Sequence, residues 1–163
     1  MSKKRDILVL QAETDELRLS CLSTSGEQIE LLDHRAFRCK SASKDSSALR
    51  DQQAVEAFCA YVTEREYAGR DLVCLIGGSG VACYHFDMPA MPTAAMSQAV
   101  RLKLGQQLPF DLAKAVVAIE KAKPANKADS QIRVGAAAIQ KDLAAIVVEL
   151  AERCAPTLVA IGP

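Results

Sequence analysis

Residues 88–110, MPAMPTAAMSQAVRLKLGQQLPF, decide the fold prediction for this chain. An extended segment ends at Met88 and Pro89, and a helix is predicted to follow because the next apolar residues recur at helical spacing. These residues are Met96, Ala99, Val100 and Leu104. Leu108 precedes a proline, which disfavours further α conformation at that position. We therefore expect an amphipathic helix between two proline corners, with Phe110 anchoring it to a sheet.

Composition and charge indicate a small globular protein and argue against nucleic-acid binding and a membrane-spanning helix. The chain has 163 residues, of which 50% are hydrophobic, which suits one domain or a small core with a compact insertion. Lys+Arg and Asp+Glu are both 20, so there is no net basic charge of the kind that a nucleic-acid binder uses. No stretch reaches the ~20 apolar residues that a membrane-spanning helix needs. We expect a cytoplasmic protein.

The cysteines and histidines offer no catalytic or metal-binding motif. No two of the six cysteines have the C-x-x-C spacing of zinc and redox sites. Cys59 lies on the apolar face of a predicted helix and Cys74 in an apolar run, so both are expected to be buried free thiols. Neither His34 nor His85 has triad partners at motif spacing. We predict no catalytic residues, no metal site and no enzymatic activity.

The first half of the chain predicts an antiparallel meander followed by a helix and a buried strand. Strands are expected over residues 7–11, 17–22 and 28–32, and a polar loop over 40–50. A helix follows from about residue 51 to 67. Its apolar stripe is Val55, Phe58, Cys59 and Val62. The continuous apolar run over 71–76 is typical of a strand covered on both faces.

A glycine cluster, Gly77-Gly78-Ser79-Gly80, follows that strand. It could hold a phosphate if a helix began there. Residues 81–86 instead have a strand pattern, and the Gly-Lys-Ser/Thr ending of a Walker A motif is missing. We interpret the cluster as a tight turn between strands.

The second half continues with strands, a hairpin and a helix. A strand is expected over residues 115–120, a polar hairpin loop over 121–130 and a returning strand over 132–139. The helix over 140–154 carries one apolar face and ends before Pro156, and a further strand begins at Thr157.

Residues 88–110 resemble a block of the PilM-type type IV pilus assembly proteins, which reads Leu-Pro-x-Met, an acidic amphipathic helix, then Ile-Pro-Phe. Residues 134–143 resemble the strand that leads into the family's last insertion helix. The resemblance covers residues 70–161 well and residues 7–69 by architecture only. It implies an α/β fold with mixed sheets: a ribonuclease-H/actin-like half-domain with an inserted βαββα subdomain of the PilM/FtsA type. The expected domains are a core over 1–80, the insertion over 81–155 and a returning core strand over 156–163.

The resemblance also implies a function. PilM-like proteins are cytosolic scaffolds that hold a short N-terminal peptide of a membrane-anchored pilus protein between core and insertion. By that likeness we expect a peptide groove around four apolar residues, Met88, Met91, Met96 and Val100. The cytoplasmic domain of the type II secretion L-protein shares the architecture, so a related secretion role is the neighbouring interpretation. A homodimer is left open.

Nucleotide binding is the alternative that an actin-like resemblance raises. The early phosphate-binding turn of that superfamily would correspond to Gln11, Ala12 and Glu13, with Gln11 replacing the usual Asp and Glu13 the usual Gly. A carboxylate there repels phosphate, so the site is predicted to be degenerate and no cofactor is expected. The chain also ends after the first half of such a fold. ATP with Mg²⁺ would be expected only in a longer, two-half ATPase, and the sequence does not decide between a fragment and a short protein.

Overall fold

The computed structural model describes residues 5–25, 27–40, 47–121, 131–154 and 156–163. These described residues form eight strands: β1 Arg5–Ala12, β2 Glu16–Ser25, β3 Gln28–Arg38, β4 Asp71–Ile76, β5 Val81–Pro89, β6 Ala115–Lys121, β7 Gln131–Gln140 and β8 Thr157–Gly162. The helices are α1 Gln52–Glu64, α2 Thr93–Gln107 and α3 Lys141–Cys154. Short 3₁₀ turns span Ala48–Arg50 and Leu112–Lys114.

The predicted order of elements is confirmed, and the main difference is the length of β3. This strand continues to Arg38, six residues beyond the predicted end at Leu32. Most of the predicted loop over 40–50 and of the hairpin loop over 121–130 lies outside the described residues. The chain divides into two compact units, the first formed by residues up to Ser79 with Asp142–Gly162, and the second by Gly80–Lys141 with Pro163.

The first unit is built on a five-stranded sheet in the order β3-β2-β1-β4-β8. β1, β2 and β3 form the predicted antiparallel meander, while β4 runs parallel to β1 and β8 parallel to β4. α1 packs on one face, where Phe58 meets the ring of Phe37 edge-on at 5.8 Å between centroids. Asp51 caps the helix by accepting a hydrogen bond from the backbone of Ala54 at 3.0 Å.

The prediction that β4 is covered on both faces is wrong. Its burial alternates, with Leu72, Cys74 and Ile76 buried and the intervening residues partly exposed. Successive side chains of a strand point to opposite faces, so only one face of β4 is fully buried. An apolar run in sequence does not distinguish this arrangement from burial on both sides.

The second unit is a three-stranded antiparallel sheet, β5-β7-β6, covered on one face by α2. The apolar stripe of α2 packs as predicted, with Met96, Val100 and Leu104 buried. Phe110 does not anchor the helix as expected: it is only partly buried, and Leu108 and Leu112 pack against the core instead.

The last helix of the predicted βαββα insertion belongs with the first unit. α3 follows β7 in the expected order, but the residues from Asp142 onward group with the core. The reason is packing: α3 buries an apolar stripe, its Cys154 forms a disulfide with Cys59 of α1, and Asp142 pairs with Arg50. The second unit therefore ends its main segment at Lys141, whereas the predicted insertion runs to residue 155.

Candidate functional site

Three of the four residues predicted to line a peptide groove are core residues of the second unit. Met88, Met96 and Val100 are 3%, 2% and 0% exposed and belong to one apolar cluster between α2 and the sheet. Met91 is only partly buried and packs against the edge of this cluster. The structure thus brings the four residues together, but it offers only Met91 to a partner. Peptide binding itself stays a prediction.

The opposite face of the same sheet carries an open depression of about 310 Å³. Two rows of side chains cross it because the three strands are in register. In the first row Cys83 of β5 and Ala118 of β6 both stand opposite Ala137 of β7. In the second row His85 and Glu120 both stand opposite Gly135.

The floor of this depression consists of small residues. A Cβ added to Gly135 would lie 3.9 Å from both Glu120 Cβ and His85 Nε2, so the floor between these two polar side chains is bare backbone. Partial burial raises the pKa of the Cys83 thiol. The surface suits contact with an extended chain rather than chemistry.

Sequence reasoning overlooked this face. The outward residues of the three strands are small and weakly patterned, and none belongs to the Met-Pro block. The signal was the run Gly135-Ala136-Ala137-Ala138, in which alternate residues leave one face of a strand without bulky side chains. Only strand register shows that two neighbouring strands add equally small residues beside it.

The predicted phosphate-loop residues Gln11, Ala12 and Glu13 lie at the carboxyl end of β1, beside the glycine turn that follows β4. The backbone N–H of Gly77 donates to the carbonyl of Ala12 at 2.8 Å. The side chain of Glu13 occupies the space beside Gly77, because a Cβ added there would lie 2.6 Å from Glu13 Oε2. The carboxyl ends of adjacent parallel strands are a common ligand position, and here a carboxylate fills it.

Further acidic groups surround that turn. Asp15 and Glu16 follow Glu13, and Cys39 donates its backbone N–H to the carbonyl of Asp15 at 2.8 Å. Burial and then the nearby carboxylates of Asp51, Asp15 and Glu16 raise the pKa of Cys39. Glu16 is paired with Arg18 and Arg38, so Glu13 is the carboxylate that the structure places directly beside Gly77. Among the described residues no group of three or more acidic, Cys or His side chains is placed to hold a metal ion.

A polar network links β3 to the C-terminal end of α1. The hydroxyls of Tyr61 and Tyr67 both donate to Asp33 Oδ2 at 2.7 Å, and Arg65 lies 3.8 Å from the same oxygen. Burial alone would raise the pKa of Asp33, but the hydrogen bonds from Tyr67 and Tyr61 and the charge of Arg65 outweigh it and lower that pKa. Burial and the same hydrogen bond raise the pKa of Tyr67. This network holds the edge of the sheet to α1.

Comparison with protein-family models finds no match, and comparison with curated protein sequences finds none either. Solved structures do match. The structure described as the PilM-PilN type IV pilus biogenesis complex aligns with a TM-score of 0.71 and 20% identity over 96% of this chain and 46% of that chain. The cytoplasmic domain of EpsL, an inner-membrane component of the type II secretion system of Vibrio cholerae, aligns with a TM-score of 0.63 and 12% identity over 97% of this chain and 57% of that one.

The chain shares the fold of these two structures. Identities of 20% and 12% show this fold and no more. The chain spans about half the length of these two structures, 46% and 57%. No helix among the described residues is long and apolar enough to cross a membrane.

Proposed function

We propose that this protein is a scaffold component of type IV pilus assembly or of the related type II secretion machinery. The observation that carries the proposal is the alignment over 96% of the chain with the PilM-PilN complex, at a TM-score of 0.71. The protein acts in the cytoplasm and reaches the inner membrane through a membrane-anchored partner. It binds that partner and catalyses no reaction.

The partner's cytoplasmic N-terminal peptide binds to the open face of the β5-β7-β6 sheet. Three features support this location over the predicted groove at the methionines. Its floor is made of the small residues Cys83, Ala118 and Ala137, which let a backbone approach closely. His85 and Glu120 flank the bare backbone at Gly135 and can hydrogen-bond to an extended peptide. The methionine cluster, by contrast, is already filled by its own core.

Fluorescence anisotropy with the labelled cytoplasmic peptide of a membrane-anchored pilus protein encoded nearby tests this proposal. Ala137→Glu places a charge on the proposed contact surface, where a bound peptide would desolvate it. We expect binding at least ~10-fold weaker, which corresponds to about 1.4 kcal/mol. Leu102→Glu is the matched control, because Leu102 is exposed on α2, on the other side of the same unit.

The outcomes separate the two candidate surfaces. If Met91→Glu loses binding and Ala137→Glu retains it, the peptide binds at the methionine groove expected from the sequence and not on the open face of the sheet. Absence of binding by the intact chain at high peptide concentration would contradict the adaptor function. Circular dichroism and melting temperature must show that each variant stays folded.

We further propose that this chain alone does not bind ATP with Mg²⁺. Glu13 occupies the space beside Gly77, where its carboxylate would repel a phosphate. Calorimetric titration should give no dissociation constant below about 1 mM, and a value in the low micromolar range would contradict the proposal. A longer reading frame with a second glycine-rich phosphate loop would favour the two-half ATPase instead.

A further inference from the structure

β3 is an eleven-residue strand at the edge of the five-stranded sheet. β2 pairs with one side of it, and no other described strand pairs with the other side. An edge strand directs alternate backbone N–H and C=O groups outward, so it can accept another strand. The N-terminal half of β3 also exposes large apolar side chains, with Ile29, Leu31 and Leu32 at 71%, 59% and 44% exposure.

A β-bulge changes the alternation of side chains along β3. On one side of the bulge Asp33 pairs with Cys21, and on the other Leu31 pairs with Leu22. Leu32 is therefore an extra residue without its own partner on β2. Odd-numbered residues after the bulge share a face with even-numbered residues before it.

The bulge places Glu30 and Arg35 on the same face. Arg35 pairs with Leu19 and Glu30 pairs with Ser23, and both of these β2 residues are buried. Directly paired residues project to the same side, so Glu30 and Arg35 both lie on the face that α1 covers. The position of the Arg35 guanidinium, 5.9 Å from the centroid of the Tyr61 ring on α1, agrees with this placement.

We propose that β3 pairs antiparallel with β3 of a second copy of this chain, with Glu30 of each copy opposite Arg35 of the other. A two-fold axis perpendicular to the sheet keeps each face of the sheet continuous from one copy to the other, so residues opposite each other must project to the same face. Glu30 and Arg35 meet this condition because the bulge puts them on one face. The same register sets Glu27 opposite Arg38 at the ends. The axis passes between Leu32 and Asp33. The two five-stranded sheets then form one continuous sheet of ten strands.

The distribution of charge favours a second copy over an unrelated strand. Charged side chains on an edge strand usually oppose pairing with other chains. Glu30 precedes the axis and faces Arg35, and Glu27 faces Arg38, so these two charge pairs across a self-paired edge are attractive. Asp33, the acidic residue that follows the axis, already accepts hydrogen bonds from Tyr61 and Tyr67. The register sets Leu31 opposite His34 and Leu32 opposite Asp33, so pairing covers part of the apolar surface that these two leucines expose. This inference does not depend on the partner proposed above.

Sedimentation equilibrium of the full chain tests the proposal. We expect a reversible dimer with a dissociation constant between about 10 µM and about 1 mM. The dissociation constant should increase as the salt concentration is raised. A non-reducing gel excludes a covalent dimer through the exposed Cys83.

Two charge reversals give a sharper test. Glu30→Arg makes positions 30 and 35 both positive, and Arg35→Glu makes both negative, so each variant should repel its own copy and dimerise at least ~10-fold more weakly. An equimolar mixture of the two variants should restore the dimer, because every Arg then faces a Glu. Glu152→Arg, an exposed position on α3, is the matched control and should dimerise like the wild type.

Wild-type chain that stays monomeric up to about 1 mM would overturn the proposal and leave this edge to a strand of another protein. A dimer that survives both reversals would overturn it too, because the copies would then meet elsewhere. Reversals that abolish the dimer without rescue by mixing would contradict the proposed register. Melting temperatures of the two variants close to the wild-type value show that the changes act on association and not on folding.

Discussion

Cys59 of α1 and Cys154 of α3 form a disulfide across a sequence separation of 95 residues, with their Cα atoms 5.4 Å apart. The expectation that Cys59 is a buried free thiol is therefore wrong. Cys21, Cys39, Cys74 and Cys83 are free. The disulfide joins the two helices of the first unit, and it explains in part why α3 groups with the core rather than with the insertion.

Reduction of this disulfide should destabilise the protein. Closing a loop of this length restricts the unfolded chain, and the expected loss on reduction or in Cys59→Ala is on the order of 4 kcal/mol. Urea unfolding with and without reductant measures it, with Cys83→Ser as the control that keeps the cross-link. Denatured protein purified without reductant should titrate four thiols, and six thiols would contradict the pairing.

Adjacent glycines in the turn after β4 should respond differently to alanine. Gly78 has a φ of +90°, which an L-residue adopts only with strain, so Gly78→Ala should cost about 1–2 kcal/mol. In Gly77→Ala the new Cβ meets the far end of the flexible Glu13 side chain, which can swing away, and the cost should stay below ~1 kcal/mol. Thermal unfolding of the two variants compares them, and the reverse order would contradict this account of the turn.

Asp33 should contribute stability that depends on pH. Its pKa in the folded protein lies below the ordinary value of 3.8, so the stabilisation is fully present above that value and is lost as the pH falls through the folded pKa. Asp33→Asn should therefore cost about 1 kcal/mol at pH 7, a modest amount because the carboxylate is partly exposed, and less at pH 3. Denaturant unfolding at both pH values tests this. A difference that does not change with pH would show that the charge is not involved.

Leu104→Ala should destabilise the protein more than Phe110→Ala, although the sequence suggested Phe110 as the anchor of α2. Leu104 is fully buried between α2 and the sheet, so Leu104→Ala should cost about 2–5 kcal/mol. Phe110 is only partly buried and lies outside that cluster, so Phe110→Ala should cost less than ~2 kcal/mol. Urea unfolding of both variants measures the two losses in the free energy of unfolding. A larger loss at Phe110 would restore it as the anchor of α2.

The sequence alone predicted the elements of this fold correctly, because local signals specify them. Apolar residues at helical spacing placed Met96, Val100 and Leu104 on the buried face of α2, and the proline after Leu108 marked its end. β1 and β2 pair as the antiparallel strands that the sequence predicted on either side of a polar turn. The resemblance in residues 88–110 led to the fold that the solved structures share with this chain.

Only the tertiary structure decided the features that depend on residues distant in sequence. The disulfide partner of Cys59 lies on another helix. An apolar sequence pattern cannot distinguish a buried free cysteine from a disulfide-bonded one. Strand register brings Cys83, Ala118 and Ala137 into one row, and the bulge at Leu32 sets Glu30 and Arg35 on one face. Periodicity predicts that a side chain is buried or exposed, but the neighbours that it meets follow from register and packing, which no local segment contains.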